Sequence, residues 1–141
     1  MSMPPVPTLA QFNQVGAGRL PAHMGVRITR VEGGEVDAEL DVVPHLLAPN
    51  GYLHAGTVIT LADTAAGYAC MANLPEGANS FTTLEIKSNH LGTAREGTIR
   101  CTATAAHTGR TTQVWDVVVS NADNGKTIAL FRCTQMILYP K

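Results

Sequence analysis

The sequence predicts an α+β fold in which one long helix is wrapped by a curved antiparallel sheet of about six strands. The first observation is a stretch from His54 to Ala72 in which nearly every residue is small or apolar. The second is a pair of alternating segments joined by Gly33-Gly34, and the third is a series of alternating segments after Gly77. A helix that is apolar on all sides is a buried helix, and a sheet can bury it only by curling around it.

Length and composition describe a globular protein. The 141 residues predict a single domain over 1–141, in which 1–19 form an N-terminal extension. Apolar residues make up 45% of the chain and charged residues 15%, which excludes a disordered chain. The net charge of −1 and the absence of a basic run argue against nucleic acid as a partner.

The cysteines and the N-terminus indicate a cytoplasmic protein. Cys70, Cys101 and Cys133 have no CxxC spacing, so we interpret them as reduced, buried thiols and not as disulfide partners or zinc ligands. The histidines show no metal-ligand spacing either, and we expect neither a metal nor a cofactor. The first residues lack the basic and apolar regions of a signal peptide.

The first elements of the chain are short. Thr8 is positioned as a helix cap, and the helix that it begins is expected to end near Gly16 or Gly18. Residues 20–23 are interpreted as a connector. An amphipathic hairpin follows, with its turn at Gly33-Gly34 and with one apolar and one charged face. Residues 44–51 form a loop bracketed by proline and glycine.

The apolar segment is predicted to be a helix that ends near Asn73. We interpret it as a helix buried within its own protein and not as a membrane span. The reasons are that it contains His54 and Asp63 and that basic residues do not flank it.

Four strands are predicted after this helix, separated by turn residues. In the first of them, Phe81, Thr83, Glu85 and Lys87 alternate with Thr82, Leu84, Ile86 and Ser88. The predicted ranges are 80–91, 98–106, 111–120 and 127–139.

Asp63 is the only acidic or basic residue, apart from histidine, between Asp41 and Glu76. A carboxylate in so apolar a segment is unfavourable unless it is paired or hydrogen-bonded. One interpretation is therefore a buried cap or paired carboxylate. The other is a catalytic base or nucleophile whose pKa burial raises toward the working pH. In that case the amides of Ala55 and Gly56, at the helix N-terminus, are placed to stabilise a developing oxyanion.

The helix start, His54-Ala55-Gly56 followed by Ala62-Asp63, resembles the H-G-G…A-D signature of the PaaI-type acyl-CoA thioesterases, which have the hotdog fold. The resemblance extends over 20–138 and includes the strand TTLEIKSNHL and the turn at Gly109-Arg110. It implies hydrolysis of an acyl-CoA thioester at a site shared by two subunits. It also implies homodimers that join edge to edge, and that commonly pair into tetramers.

The resemblance also assigns residues. Asp63 matches the catalytic carboxylate, and the amide of Ala55 matches the group that polarises the thioester carbonyl, although the family has glycine there. Thr83 matches a polar residue that reaches the partner's site. Asn50 is the nearest match to an upstream amide that holds the carbonyl or the water, but it lies closer to the helix than expected.

Further candidates are weaker. We interpret His54 as either a structural residue or one that orients the loop before the helix. Thr82 is either a substrate contact or an ordinary strand residue. Arg110, with its neighbours Gly109 and Thr111, is either a site for a CoA phosphate or a solvated turn. Asn89 and His90, at the end of their strand, are the least supported substrate contacts.

Two rival functions remain open from the sequence. A hotdog dehydratase or hydratase usually has an Asp/His pair close together on the helix, whereas His54 and Asp63 are nine residues apart. A non-catalytic acyl-CoA-binding module is favoured by the replacement of glycine by Ala55. A nucleophilic role for Cys70 is disfavoured, because a cysteine in an apolar helix is usually an inert core residue.

Overall fold

The computed structural model of this chain describes residues 5–141, so that 1–4 of the predicted N-terminal extension lie outside the described residues. Its helices are α1 (Leu9–Val15), α2 (Leu20–Met24) and α3 (Ala55–Ala72). Its strands are β1 (Arg27–Glu32), β2 (Glu35–Asp41), β3 (Ser80–His90), β4 (Thr98–Thr108), β5 (Thr112–Asn121) and β6 (Thr127–Leu138).

The strands form one sheet of six in the order β1-β2-β4-β5-β6-β3, and all neighbours are antiparallel. The sheet is curved, and α3 lies against it in contact with every strand. The α+β class, the strand number and the hotdog fold are therefore confirmed. Strands β1 and β3 form the two edges of the sheet.

Small side chains allow α3 to approach the sheet closely. Gly67 illustrates this, because a Cβ atom there would lie 3.1 Å from the ring of Phe81 on β3. The hydrophobic core around the helix also includes Trp115 of β5, which is fully buried. The fully buried alanines of α3 are Ala62, Ala65, Ala66 and Ala69.

The prediction that this helix is buried on all sides is wrong. Asp63, Thr64 and Tyr68 are only partly buried. The physical reason is that a single sheet covers one side of a helix, and the far side is covered only where another element lies over it. Within residues 5–141, no helix is long and apolar enough to cross a membrane.

The N-terminal elements differ from the prediction in one place. The cap at Thr8 is confirmed, and its hydroxyl accepts a hydrogen bond from the Gln11 amide in a capping box. The predicted connector at 20–23 is instead the short helix α2. Pro21 suits the first turn of a helix, and Gly25 ends it in the left-handed conformation, with φ of +81°.

The hairpin of β1 and β2 has the predicted apolar and charged faces. Val36, Ala38 and Leu40 are buried. On the other face, Arg30 of β1 forms ion pairs with Glu35 at 2.8 Å and Asp37 at 2.7 Å.

The faces of β3 do not follow the predicted alternation. Thr83 pairs with Gln135 and Glu85 with Thr134, so that Leu84 is an extra residue at a β-bulge. Beyond the bulge the alternation is shifted by one residue. As a result Ile86, and not Glu85, is on the same face of the sheet as Thr83.

Two further boundaries are corrected. The loop 44–51 contains a short 3-10 turn at Pro44–Leu46. Strand β4 continues to Thr108, two residues beyond the predicted end, because a register shift between Ala105 and His107 lets it stay paired with β5.

Candidate active site

The start of α3 is fixed by hydrogen bonds to two loops. The His54 amide donates to the carbonyl of Leu46 at 3.2 Å, and the Leu53 amide donates to the carbonyl of Ala94 at 2.9 Å. The second bond ties the segment before α3 to the loop between β3 and β4. The helix N-terminus is therefore held at the end of the sheet where β3 finishes.

His54 is the N-cap of α3. Its Nδ1 accepts a hydrogen bond of 2.8 Å from the Gly56 amide, so the ring lies over the first turn of the helix. A Cβ atom on Gly56 would lie 2.9 Å from Nδ1, which explains why the third residue of the motif His54-Ala55-Gly56 is glycine. The cap also occupies one of the two amides that the sequence offers as oxyanion donors.

The amide of Ala55 is the donor that stays free. Among residues 5–141 it has no hydrogen-bond acceptor, and the residue itself is exposed. No described residue other than glycine has a positive φ, so alanine fits here without backbone strain. The exposed methyl group leaves the helix N-terminus open to a ligand.

Asp63 lies about two turns further along α3, with its carboxylate partly buried. Its Oδ1 is buried without a hydrogen-bond partner, and no described residue forms an ion pair with it. Burial raises the pKa of the Asp63 carboxyl above its ordinary value. The interpretation of Asp63 as a paired or capping carboxylate is therefore not supported by any contact in residues 5–141.

Cys133 of β6 lies close enough to Asp63 to respond to its charge. Burial, and then the negative charge of Asp63, raises the pKa of the Cys133 thiol to about 12. Cys70 and Cys101 are also buried, free thiols whose pKa burial raises to about 12. All three are therefore protonated core residues, as predicted.

Strand β3 divides the predicted contacts between two faces of the sheet. Thr83 and His90 pair with buried residues of β6, on the face that carries α3. Thr82 and Asn89 pair with the exposed residues Met136 and Leu130, so they lie on the opposite face. Only the first pair is on the same side as Asp63.

Asn50 has a local structural contact, and the turn at Gly109–Thr111 lies near the C-terminus of α3. The Asn50 Oδ1 accepts from the Tyr52 amide at 3.1 Å, which shapes the exposed loop before α3. The turn precedes β5, and the Gln113 amide group of that strand donates to the Asn73 carbonyl at the C-terminus of α3. Arg110 is therefore near the opposite end of α3 from Ala55.

Sequence reasoning missed three features around the site. Ser88 Oγ and Gln135 Oε1 are buried without partners, like Asp63 Oδ1. Both residues lie on the α3 side of the sheet. The sequence does not reveal this for Ser88, because the bulge at Leu84 shifts its face, or for Gln135, because it is a single polar residue in a strand. The third feature is Arg95, whose guanidinium lies 4.1 Å from the centre of the Tyr52 ring.

Within residues 5–141, no group of three or more His, Cys, Asp or Glu side chains is arranged to hold a metal ion.

The model of the thioesterase superfamily matches residues 50–128, the part of the chain that contains α3 and the free carboxylate. The chain belongs to the thioesterase superfamily. It is 34% identical over 111 residues to the 1,4-dihydroxy-2-naphthoyl-CoA hydrolase of Listeria monocytogenes, covering 79% of this chain and 89% of that protein. It is 33% identical over 112 residues to the proofreading thioesterase EntH of Klebsiella pneumoniae, covering 79% and 81%.

Solved structures agree with this assignment. A mutant thioesterase from Pseudomonas aeruginosa superposes with a TM-score of 0.90 at 29% identity, covering 96% of this chain and 97% of that one. A thioesterase from Haemophilus influenzae gives 0.89 at 28% identity, covering 96% and 93%. This thioesterase thus has the fold of the superfamily over nearly its whole length.

Proposed function

We propose that this thioesterase hydrolyses an acyl-CoA to the free acid and CoA, with Asp63 as general base or nucleophile. The observation that carries the proposal is the Asp63 carboxyl, which is partly buried, has an Oδ1 atom without a hydrogen-bond partner among residues 5–141, and has a pKa raised by burial. An unpaired buried carboxylate is unfavourable for folding, and such groups are typical of active sites.

The chemistry follows from two groups of α3 that we propose are brought together by two copies of the chain. Within one chain the Ala55 amide and Asp63 are eight residues apart, about 12 Å along the helix, which is too far for both to act on one thioester. Asp63, as base, removes a proton from water while the water oxygen adds to the thioester carbonyl carbon. The negative charge that develops on the carbonyl oxygen is stabilised by the Ala55 amide and the positive end of the helix dipole. The intermediate then expels the thiolate of CoA, and the proton held by Asp63 returns to the products. Direct attack by the carboxylate is the alternative, and it passes through an acyl-enzyme anhydride that water cleaves.

His54 supports this arrangement by holding the first turn of α3. Since its Nδ1 is occupied by the Gly56 amide, the Ala55 amide is the donor left for the substrate. This favours Ala55 over Gly56 as the oxyanion donor. CoA enters as part of the substrate, and the reaction as proposed uses only groups on this chain and its copies.

An open groove of about 590 Å³ lies between the N-terminal segment and the C-terminal half of α3, on the side of the helix toward β1. Its walls include Phe12 and Tyr68, whose rings stack at 4.7 Å, and Met71. This groove lies apart from Asp63, which is beside Cys133 of β6, so the proposal of an aromatic acyl group is supported by the name of the Listeria monocytogenes relative, which specifies an aromatic acyl-CoA.

We also propose that two copies join along β3. Leu84 and Ile86 on this edge strand are 53% and 40% exposed, and the buried Ser88 hydroxyl on the same strand has no hydrogen-bond partner in the described part of the chain. A second copy would cover this edge and approach the open side of α3, where Thr83 could reach the partner's site. Exposed Val118, Leu130 and Met136 on the outer face of the sheet offer a second surface, suited to pairing of dimers.

The test is thiol release from a panel of acyl-CoAs by the purified protein, covering aromatic, short and medium-chain acyl groups. We expect turnover with at least one aromatic or medium-chain member. A protein that binds these acyl-CoAs tightly but releases no CoA thiol from any of them would instead be a binding module, and the proposal would fail.

A further inference from the structure

We propose that Arg95, held against Tyr52, binds the phosphate groups of CoA and so selects CoA over a carrier protein as the acyl donor. This inference rests on the proposed function only in placing the thioester at the start of α3. It concerns the part of the substrate that is not hydrolysed, and it adds a site to those that the sequence predicts.

The position of the pair is fixed relative to the start of α3. Tyr52 and Arg95 each directly adjoin a residue of the hydrogen bond between the Leu53 amide and the Ala94 carbonyl. Tyr52 is also two residues before His54, the N-cap of α3. The cation therefore lies near the start of α3, whose Ala55 amide is proposed to hold the thioester carbonyl. The pantetheine arm of CoA would carry the phosphates away from the thioester, over the surface beside this helix start.

The guanidinium is available for a ligand. Arg27, Arg30 and Arg132 are each paired with carboxylates of the chain. By contrast, Arg95 has no carboxylate within ion-pair distance in the described part of the chain, and its contact is with the Tyr52 ring at 4.1 Å. Stacking on an aromatic ring restricts the side chain while leaving its N–H groups unused. A planar guanidinium with free donors matches the oxygens of a phosphate.

Arg110 is the alternative cation, and the fold separates it from the start of α3. Its turn precedes the β5 residue that contacts the C-terminus of α3. A helix of 18 residues is about 27 Å long, so in one chain the two arginines lie at opposite ends of it. Arg110 can approach the start of α3 only if a second copy brings it there.

The test compares two donors of the same acyl group, acyl-CoA and acyl-pantetheine, the latter without phosphates. For Arg95→Ala we expect kcat/KM for acyl-CoA to fall roughly 10- to 100-fold, mainly through KM, as for loss of hydrogen bonds to a charged group. The value for acyl-pantetheine should be unchanged. Tyr52→Phe should behave as wild type, whereas Tyr52→Ala should show part of the loss with acyl-CoA only.

Arg100→Ala is the matched control. It removes the same charge from an exposed position on β4, between the buried residues Ile99 and Cys101, so its side chain points away from α3. We expect no change with either donor. Equal losses with both donors for Arg95→Ala, or no loss with either, would overturn the proposal, as would a CoA-specific loss in Arg110→Ala alone. So would equal or better turnover of an acyl carrier protein thioester by the wild type.

Binding separates this inference from the proposed function. Calorimetry with CoA and with adenosine 3′,5′-diphosphate requires no turnover, and we expect both to bind the wild type and to bind Arg95→Ala at least about tenfold more weakly. If no thioester were hydrolysed but this dependence held, the proposed function alone would fail. If the wild type bound neither compound, the phosphate site would be refuted even with full turnover of acyl-pantetheine.

Discussion

The two edge strands of the sheet, β1 and β3, are built in opposite ways. β1 has six residues, and its arginines are paired with acidic residues of β2, as in the 3.0 Å contact between Arg27 and Glu39. β3 has eleven residues, and Leu84 and Ile86 on it are largely exposed. Neither Glu85 nor Lys87 forms an ion pair with a described residue.

Exposed edges are a hazard that proteins usually limit with charges, bulges or short strands. β1 uses all three, because it is short, charged and bulged at Thr29. β3 is also bulged, at Leu84, but it is long and it exposes the apolar side chains of Leu84 and Ile86. This difference supports the proposal that β3, and not β1, is the edge that joins a second copy.

Among changes that test the difference between the two edges, the largest effect is expected from a charge placed at the β3 bulge. Leu84→Lys would bury an unpaired ammonium in the proposed contact, so we expect the dimer to dissociate and thiol release to fall about 100-fold or more. Mass by light scattering and thiol release would be measured on the same sample.

Thr29→Lys is the matched control, since Thr29 is the extra residue at the bulge of β1. The same lysine there should leave both mass and turnover unchanged. If both variants dissociated, or neither did, the two edges would not differ in the way proposed.

A smaller effect is expected on stability. The pKa of Asp63 is higher in the folded protein than in the unfolded chain, so the folded state binds more protons between the two values. Stability is then lost as pH rises through this range, and the ionised carboxylate is a permanent penalty above it. Asp63→Asn should therefore melt at a higher temperature than wild type near neutral pH.

The difference in melting temperature between Asp63→Asn and wild type should narrow as pH falls and Asp63 becomes neutral. Thermal unfolding at several pH values measures it. A variant less stable than wild type at neutral pH would mean that the carboxylate has a stabilising partner, contrary to the unpaired Oδ1.

The smallest effect is expected at the charged edge. Arg30→Ala removes ion pairs to Glu35 and Asp37 that are exposed to solvent, and such pairs add little to stability. We expect a slight fall in melting temperature, which salt abolishes by screening, and no change in mass or turnover. Dissociation of this variant would show that β1 also meets a second copy.

The sequence allowed most of the fold to be predicted because its signals are local. Gly33-Gly34 sets a hairpin turn, and Asp63 stands out in an apolar helix. The bulge at Leu84 could not be predicted, since alternation looks regular on both sides of an extra residue. For this reason the alternation in the sequence predicts opposite faces for Thr83 and Ile86, which in fact share one face.

The site was predicted only in part, for the same reason. The Asp63 and Ala55 positions follow from the motif on one helix. The hydrogen bond from Gly56 to His54 and the stacking of Arg95 on Tyr52 depend on side-chain conformations and on contact between loops distant in sequence. Neither leaves a pattern that periodicity or spacing can reveal.

The central claim is that Asp63 performs the hydrolysis, and the kcat of Asp63→Asn on the best acyl-CoA of the panel tests it most directly. We expect kcat to fall about 10²- to 10⁴-fold, because the amide cannot act as a base, while CoA binding and the dimer persist. Asp123→Asn, in the exposed loop between β5 and β6, should match wild type. Turnover by Asp63→Asn within a few-fold of wild type would contradict the account.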